Sequence, residues 1–199
     1  MSNTTYILRA VVFSLAGSVL VFFLVGMLLA DSWQVQASRS IPATAEQVAA
    51  KVVDLGQWSD WSALDFQLGN PTEQEVRGVA GQSGQIATWS GPMGVASLEL
   101  TRVASESVDY LIHYQYGASE QSLGGRFVGS ISWQPEELTT MVAWVETGEL
   151  DSFVQRWSNW FGALQDKVQQ VQRSSLAGLA ESLRRNQAPP AVDAADAPK

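Results

Sequence analysis

An α+β domain carried behind one transmembrane helix is the architecture this sequence predicts. Three observations predict it. A run of 21 residues near the N-terminus carries no charge, and apolar and polar residues alternate between Leu64 and Gly148. The closing segment then sets apolar residues at intervals of three and four. The expected packing is a curved antiparallel sheet wrapped on a long C-terminal helix. The chain divides accordingly into a short N-terminal segment (1–9), an anchor (10–30), one domain (32–186) and a disordered tail (187–199).

The anchor is "AVVFSLAGSVLVFFLVGMLLA", Ala10–Ala30. At the helical rise it covers about 31 Å, close to the thickness of the hydrocarbon layer. Tyr6 and Trp33 flank it at the depth where amphipathic rings settle. Arg9 before the run and Asp31 after it place the N-terminus in the cytoplasm and the domain on the extracytoplasmic, periplasmic side. A cleaved signal peptide is the alternative, with "VQA" at Val35–Ala37 as the small-residue site. That site lies far beyond the apolar run and inside an expected strand, so an uncleaved single-pass anchor is expected.

"SWQVQASRSI" (Ser32–Ile41) reads as a first strand. In "IPATAEQVAAKVVDLGQW", Thr44 and Gln47 form a capping box and Gly56 suits a left-handed C-terminal position, which predicts a helix from Ala45 to Leu55. "DLGQWSDWS" follows, with Trp58 and Trp61 closing the turn: one ring for the core, the other for the mouth of any interior space.

The stretches "GQIATWSG", "GVASLELTRVAS", "SVDYLIHYQY", "GGRFVGSISWQP" and "LTTMVAWVETG" switch to a period of two and predict successive antiparallel strands. Asp151 is the expected N-cap of one helix running to about Asn186. Its stripe is Val154, Trp157, Trp160, Phe161, Leu164, Val168, Val171, Leu176, Leu179 and Leu183. "QAPPAVDAADAPK" has little to bury and is expected to be disordered.

Composition excludes several functions. Twenty carboxylates against 12 basic residues, with no basic cluster, argue against nucleic acid as a partner. With no cysteine there is no disulfide, thiolate metal site or thiol nucleophile. The single histidine, His113, falls on the face opposite Tyr110 and Tyr114, so it serves neither a catalytic triad nor a zinc site. No catalytic residue, metal or cofactor is expected.

Two candidates remain. Glu146 shares a strand face with Val142 and Trp144. Pointing inward it requires a partner such as Arg126, Arg156 or a ligand group; the alternative is a strand-end carboxylate exposed at the rim. The second candidate is an aromatic set: Trp58, Trp61, Trp89, Tyr110, Tyr114, Phe127, Trp133, Trp144, Trp157 and Phe161. Stripes of this kind build cores, and they also build the apolar, sparsely polar pockets that hold small molecules.

Four stretches carry a family resemblance: "SRSIPATAEQVAAKVVDLGQWSDWS", "GQSGQIATWSGPMG", "VAWVETGEL", and "RWSNWFGALQDKV" with "LAGLAESL". In that order they resemble the opening strand, helix and turn, the third-strand hairpin, the penultimate segment and the C-terminal helix of the SRPBCC superfamily (START-like, helix-grip fold). The likeness is to its bacterial polyketide cyclase/dehydrase and lipid transport branch, and it extends from Trp33 to Arg185. It implies an apolar cavity between sheet and C-terminal helix for a lipid, isoprenoid or polyketide-like molecule, with the aromatic set and Glu146 around it.

The expected function is therefore membrane-anchored binding or transport of a hydrophobic ligand. Two alternatives stand beside it: a cyclase-like enzyme using Glu146 and a tyrosine hydroxyl as acid and base, and an envelope interaction module filled by its own side chains.

Overall fold

A computed structural model describes residues 3–64, 68–69, 73–116, 124–150 and 152–187. Helix α1 (Asn3–Leu28) contains the charge-free run, and Arg9–Leu28 is long and apolar enough to cross a membrane. Its side chains are exposed along nearly the whole length, as lipid-facing ones would be.

Strand β1 (Ser32–Ile41) alternates in burial, with Trp33, Val35, Ala37 and Ile41 turned inward. Helix α2 (Ala45–Val52) opens on the expected capping box: the Gln47 N–H donates to Thr44 Oγ1 at 3.3 Å and the Thr44 N–H to Gln47 Oε1 at 3.0 Å. It stops at Val52, earlier than its sequence predicts. Asp54 starts a separate 3₁₀ turn (Leu55–Asp60) by accepting the Gly56 N–H at 2.9 Å, so Gly56 is a donor inside a new turn and its φ is not positive.

Six further strands follow: β2 (Glu73–Arg77), β3 (Ile86–Gly91), β4 (Gly94–Val103), β5 (Ser107–Tyr116), β6 (Gly124–Pro135) and β7 (Thr140–Glu149). All pair antiparallel in the order β1-β7-β6-β5-β4-β3-β2. Meander connections join β2 through β7, while β1 docks beside β7, so α2 and the 3₁₀ turn carry the chain from one sheet edge to the other. Strand β2 lacks an apolar alternation because it is an edge strand that is largely exposed. It gave no signal in the sequence for that reason.

The C-terminal helix is two helices: α3 (Phe153–Trp160) and α4 (Ala163–Gln187). Gly162, at φ +76°, breaks them apart in a conformation a side chain disfavours. The N-cap of α3 is Ser152, which forms a capping box with Gln155. Asp151, expected in that role, lies outside the described residues, as does the tail beyond Gln187.

Helix α4 lies on the concave face of the sheet. Ser175 Oγ accepts the Ala63 N–H at 2.8 Å. At Gly178 the helix comes so close to the Trp61 carbonyl that a Cβ would collide with it.

Candidate functional site

Strand register orders the inward-facing residues in rows. At the end farthest from α1, Trp133 and Val142 pair with each other, followed by Ile131 and Trp144. The next row runs Val35–Glu146–Gly129–Tyr110–Leu100, and the next Trp33–Gly148–Phe127–Ile112–Leu98. Nearest α1 come Gly125, Tyr114, Ala96 and Trp89.

The distal half of this face is filled. Trp58 donates its indole N–H to the Val52 carbonyl at 2.9 Å, and Trp61 to the Lys51 carbonyl at 3.2 Å. Both indoles thus satisfy carbonyls at the end of α2 that the helix cannot. Their rings meet at 4.9 Å and both pack edge-on against Trp144, at 5.9 and 6.0 Å. Trp58, Trp133, Trp144 and Tyr110 are all fully buried. The pair in "DLGQWSDWS" is therefore core that also ties α2 to the sheet.

A polar chain threads this core. The Trp144 indole N–H donates to Tyr110 Oη at 2.7 Å, the Tyr110 hydroxyl donates to Glu146 Oε1 at 2.5 Å, and Gln172 Nε2 of α4 donates to Glu146 Oε2 at 3.3 Å. Glu146 faces inward, as one reading of its alternation required, but its partners are neutral. Arg126 is exposed and Arg156 Nε donates to the Leu150 carbonyl. Burial raises the Glu146 pKa above the ordinary carboxylate value, and the hydrogen bonds from Tyr110, Gln172 and Trp144 offset this only in part. Burial also drives the Tyr110 phenol well above its usual value, and the neighbouring Glu146 charge adds to the effect.

Tyr110 fits here because β6 carries Gly129 opposite it; a Cβ there would run into the phenol ring. Gly148 gives the same room to Phe127 and Trp33, whose atoms would lie 2.6 Å from an added Cβ.

Toward α1 the packing changes character. Trp33, Val35, Leu150 and Val168 form a second, smaller cluster with Phe127 and Leu164 at its edge. Trp33 meets Phe127 edge-on at 5.0 Å, and Phe127 meets Tyr114 at 5.8 Å. Within this region the Trp33 indole N–H and the Gln172 side-chain carbonyl are buried without hydrogen-bond partners. Such atoms are rare in folded proteins and costly to leave unpaired.

Trp157, expected over the sheet, belongs to α3 instead, and Phe161, expected there too, is the C-cap of that helix. Trp157 stacks on Phe22 of α1 with centroids 4.6 Å apart, and Phe161 is 74% exposed. His113 is exposed on the outer face. Among the described residues no group of three His, Asp or Glu side chains could hold a metal ion. An open recess at the distal end, lined by Pro42, Thr44, Glu46, Glu136 and Leu138, contains none of the expected site residues. Gln172 and Trp33 were missed as site candidates. Gln172 falls on the apolar stripe of α4 four residues after Val168, a polar interruption that was readable. Its place beside the apolar run suits Trp33 to the membrane flank, whereas the structure turns it into the interior.

The family model for polyketide cyclase / dehydrase and lipid transport proteins matches residues 32–184. No curated protein matches the chain. Among solved structures, a Mesorhizobium loti protein is 14% identical over 78% of this chain and all of its own, with a TM-score of 0.55. A Thermus thermophilus protein is 21% identical over 78% of this chain and all of its own, at 0.50. DynU16, from the dynemicin biosynthetic locus, is 12% identical over 79% of this chain and 48% of its own, at 0.53. At these identities the likeness is one of fold.

Proposed function

The chain belongs to the polyketide cyclase/dehydrase and lipid transport family, and on that premise we propose that it is a membrane-tethered domain that binds a hydrophobic molecule bearing a polar group. The site is the α1-proximal part of the space between sheet and α4, bounded by Trp33, Phe127, Tyr114, Val168 and Gln172. One observation carries this reading: a buried donor, the Trp33 indole N–H, and a buried acceptor, the Gln172 carbonyl, lack partners amid apolar side chains. A hydroxyl on an otherwise oily ligand would satisfy either, and a ligand carbonyl would satisfy the Trp33 N–H. Tethering by α1 keeps the site beside the pool of such molecules.

Full-length protein extracted directly into lipid nanodiscs tests the reading, by native mass spectrometry and analysis of its organic extract. A bound isoprenoid, lipid or polyketide-like species, enriched over empty discs and reduced in Gln172→Leu, is the expected result. No enriched species in the parent protein overturns it.

A second reading follows from the filled distal core. The contacts among Trp58, Trp61, Trp144 and Tyr110 suit a scaffold that needs no ligand. The same experiment separates the two. The pairing of Tyr110 with Glu146 has the chemistry of an acid–base couple, but both groups are buried and already engaged by Trp144 and Gln172.

A further inference from the structure

We infer that α3 is an interfacial helix, seated in the headgroup region of the bilayer with Val154, Trp160 and Phe161 in lipid on either side of α1. The inference rests on the reading of α1 as a membrane anchor and goes beyond it, because an anchored domain could equally stand clear of the surface.

Three observations combine. At 100° per residue, Trp160, Phe153, Trp157 and Val154 occupy one arc of about 120° on α3, Phe161 follows at its C-cap, and Ser158, Gln155, Asn159 and Arg156 occupy the rest. The middle of that arc is covered by α1: Trp157 stacks on Phe22 at 4.6 Å and Phe153 on Phe23 at 5.1 Å. Gly26 leaves the notch for them, since a Cβ there would collide with the Phe153 ring and lie 2.6 Å from the Trp157 indole nitrogen. The two edges of the arc are bare, with Val154 67%, Trp160 66% and Phe161 74% exposed.

Depth and occupant follow. Phe22 lies six residues before the end of α1 at Leu28, which is about 9 Å along the axis. Amphipathic helices lying in an interface bury their apolar face by about 5–10 Å. A surface that presses its centre against a spanning helix and leaves apolar flanks at that depth is completed by the lipid surrounding the span. A tryptophan at such a flank also matches the interfacial preference of indole.

The chain has no cysteine, so single environment-sensitive labels can be placed on full-length protein in phosphatidylcholine/phosphatidylglycerol liposomes. Val154→Cys and Trp160→Cys report α3, Leu138→Cys on the distal β6–β7 hairpin is the solvent control, and Leu15→Cys reports the span. Shallow-doxyl lipid is expected to remove about half or more of the emission at Val154→Cys and Trp160→Cys and to leave Leu138→Cys unchanged. Mid-chain doxyl lipid is expected to quench Leu15→Cys. If Leu15→Cys is quenched and both α3 labels are not, the interfacial placement falls and the anchor stands. If Leu15→Cys is also unquenched, both fall. Self-quenching of the α3 labels that disappears on dilution into excess lipid, without a doxyl effect, means a second copy covers the face and also overturns the inference.

Discussion

Tyr110 on β5 hands its hydroxyl proton to the hydrogen bond with Glu146 on β7 across the intervening strand β6, at 2.5 Å. The bond crosses over Gly129, whose missing side chain leaves room for the phenol ring in that row. Glycine, tyrosine and glutamate on three neighbouring strands thus form one unit.

Removing the hydroxyl in Tyr110→Phe takes the 2.7 Å acceptor away from the Trp144 indole N–H and one donor from Glu146. The phenyl ring still fills the hollow. A loss of about 1–3 kcal/mol is expected, read from urea unfolding of the full chain in detergent. An unchanged midpoint would show that the network adds nothing to stability.

The pH dependence follows from Glu146. Its folded pKa is raised above the 4.5 of the unfolded chain, burial being the main cause. Between those two values the folded protein keeps a proton that the unfolded chain has released. The contribution is therefore fully present below the unfolded value and is lost as pH rises through the raised folded value. Glu146→Gln removes the titration, so the variant should be the more stable of the two at neutral pH. The gap should close toward the acid end. Parallel melting-temperature profiles for the two proteins would refute the sign.

Gly129→Ala places a methyl group inside the Tyr110 ring. The ring must leave, taking both of its hydrogen bonds with it. A cost of about 2–3 kcal/mol or more is expected. In a double-mutant cycle with Tyr110→Phe the penalties should fall well short of additive, since the two changes break the same bonds.

Thr44→Ala removes the acceptor for the Gln47 N–H at the start of α2. About 1 kcal/mol of stability should be lost, with Thr44→Ser retaining most of it. Equal losses in both variants would point to the threonine methyl group rather than the cap.

Elements with a periodic signature were legible in the sequence. The capping box at Thr44 and Gln47, the alternation of β3 to β7 and the charge-free run of α1 all follow from local spacing, and each took the expected form. The break at Gly162 was hidden because Leu164 and Val168 continue the three-and-four spacing of Val154, Trp157 and Phe161 beyond the glycine. Spacing records which residues want cover but not what covers them, so the aromatic rings of α3 looked as suitable for the sheet as for α1. The partners of Glu146 were out of reach for a similar reason. Tyr110 lies 36 positions away and Gln172 lies 26, and no local rule selects them over a nearby arginine.

Between Leu28 and Ser32 the chain has only Leu29, Ala30 and Asp31, and the Asp31 carbonyl already accepts the Leu150 N–H at 2.7 Å. Three residues reach about 10 Å at full stretch, and this hydrogen bond shortens even that. With α1 in a bilayer, so short a leash forbids the domain from ferrying cargo to an opposite membrane. On the proposed function, any handover would then be made in place, to a recipient that travels to it.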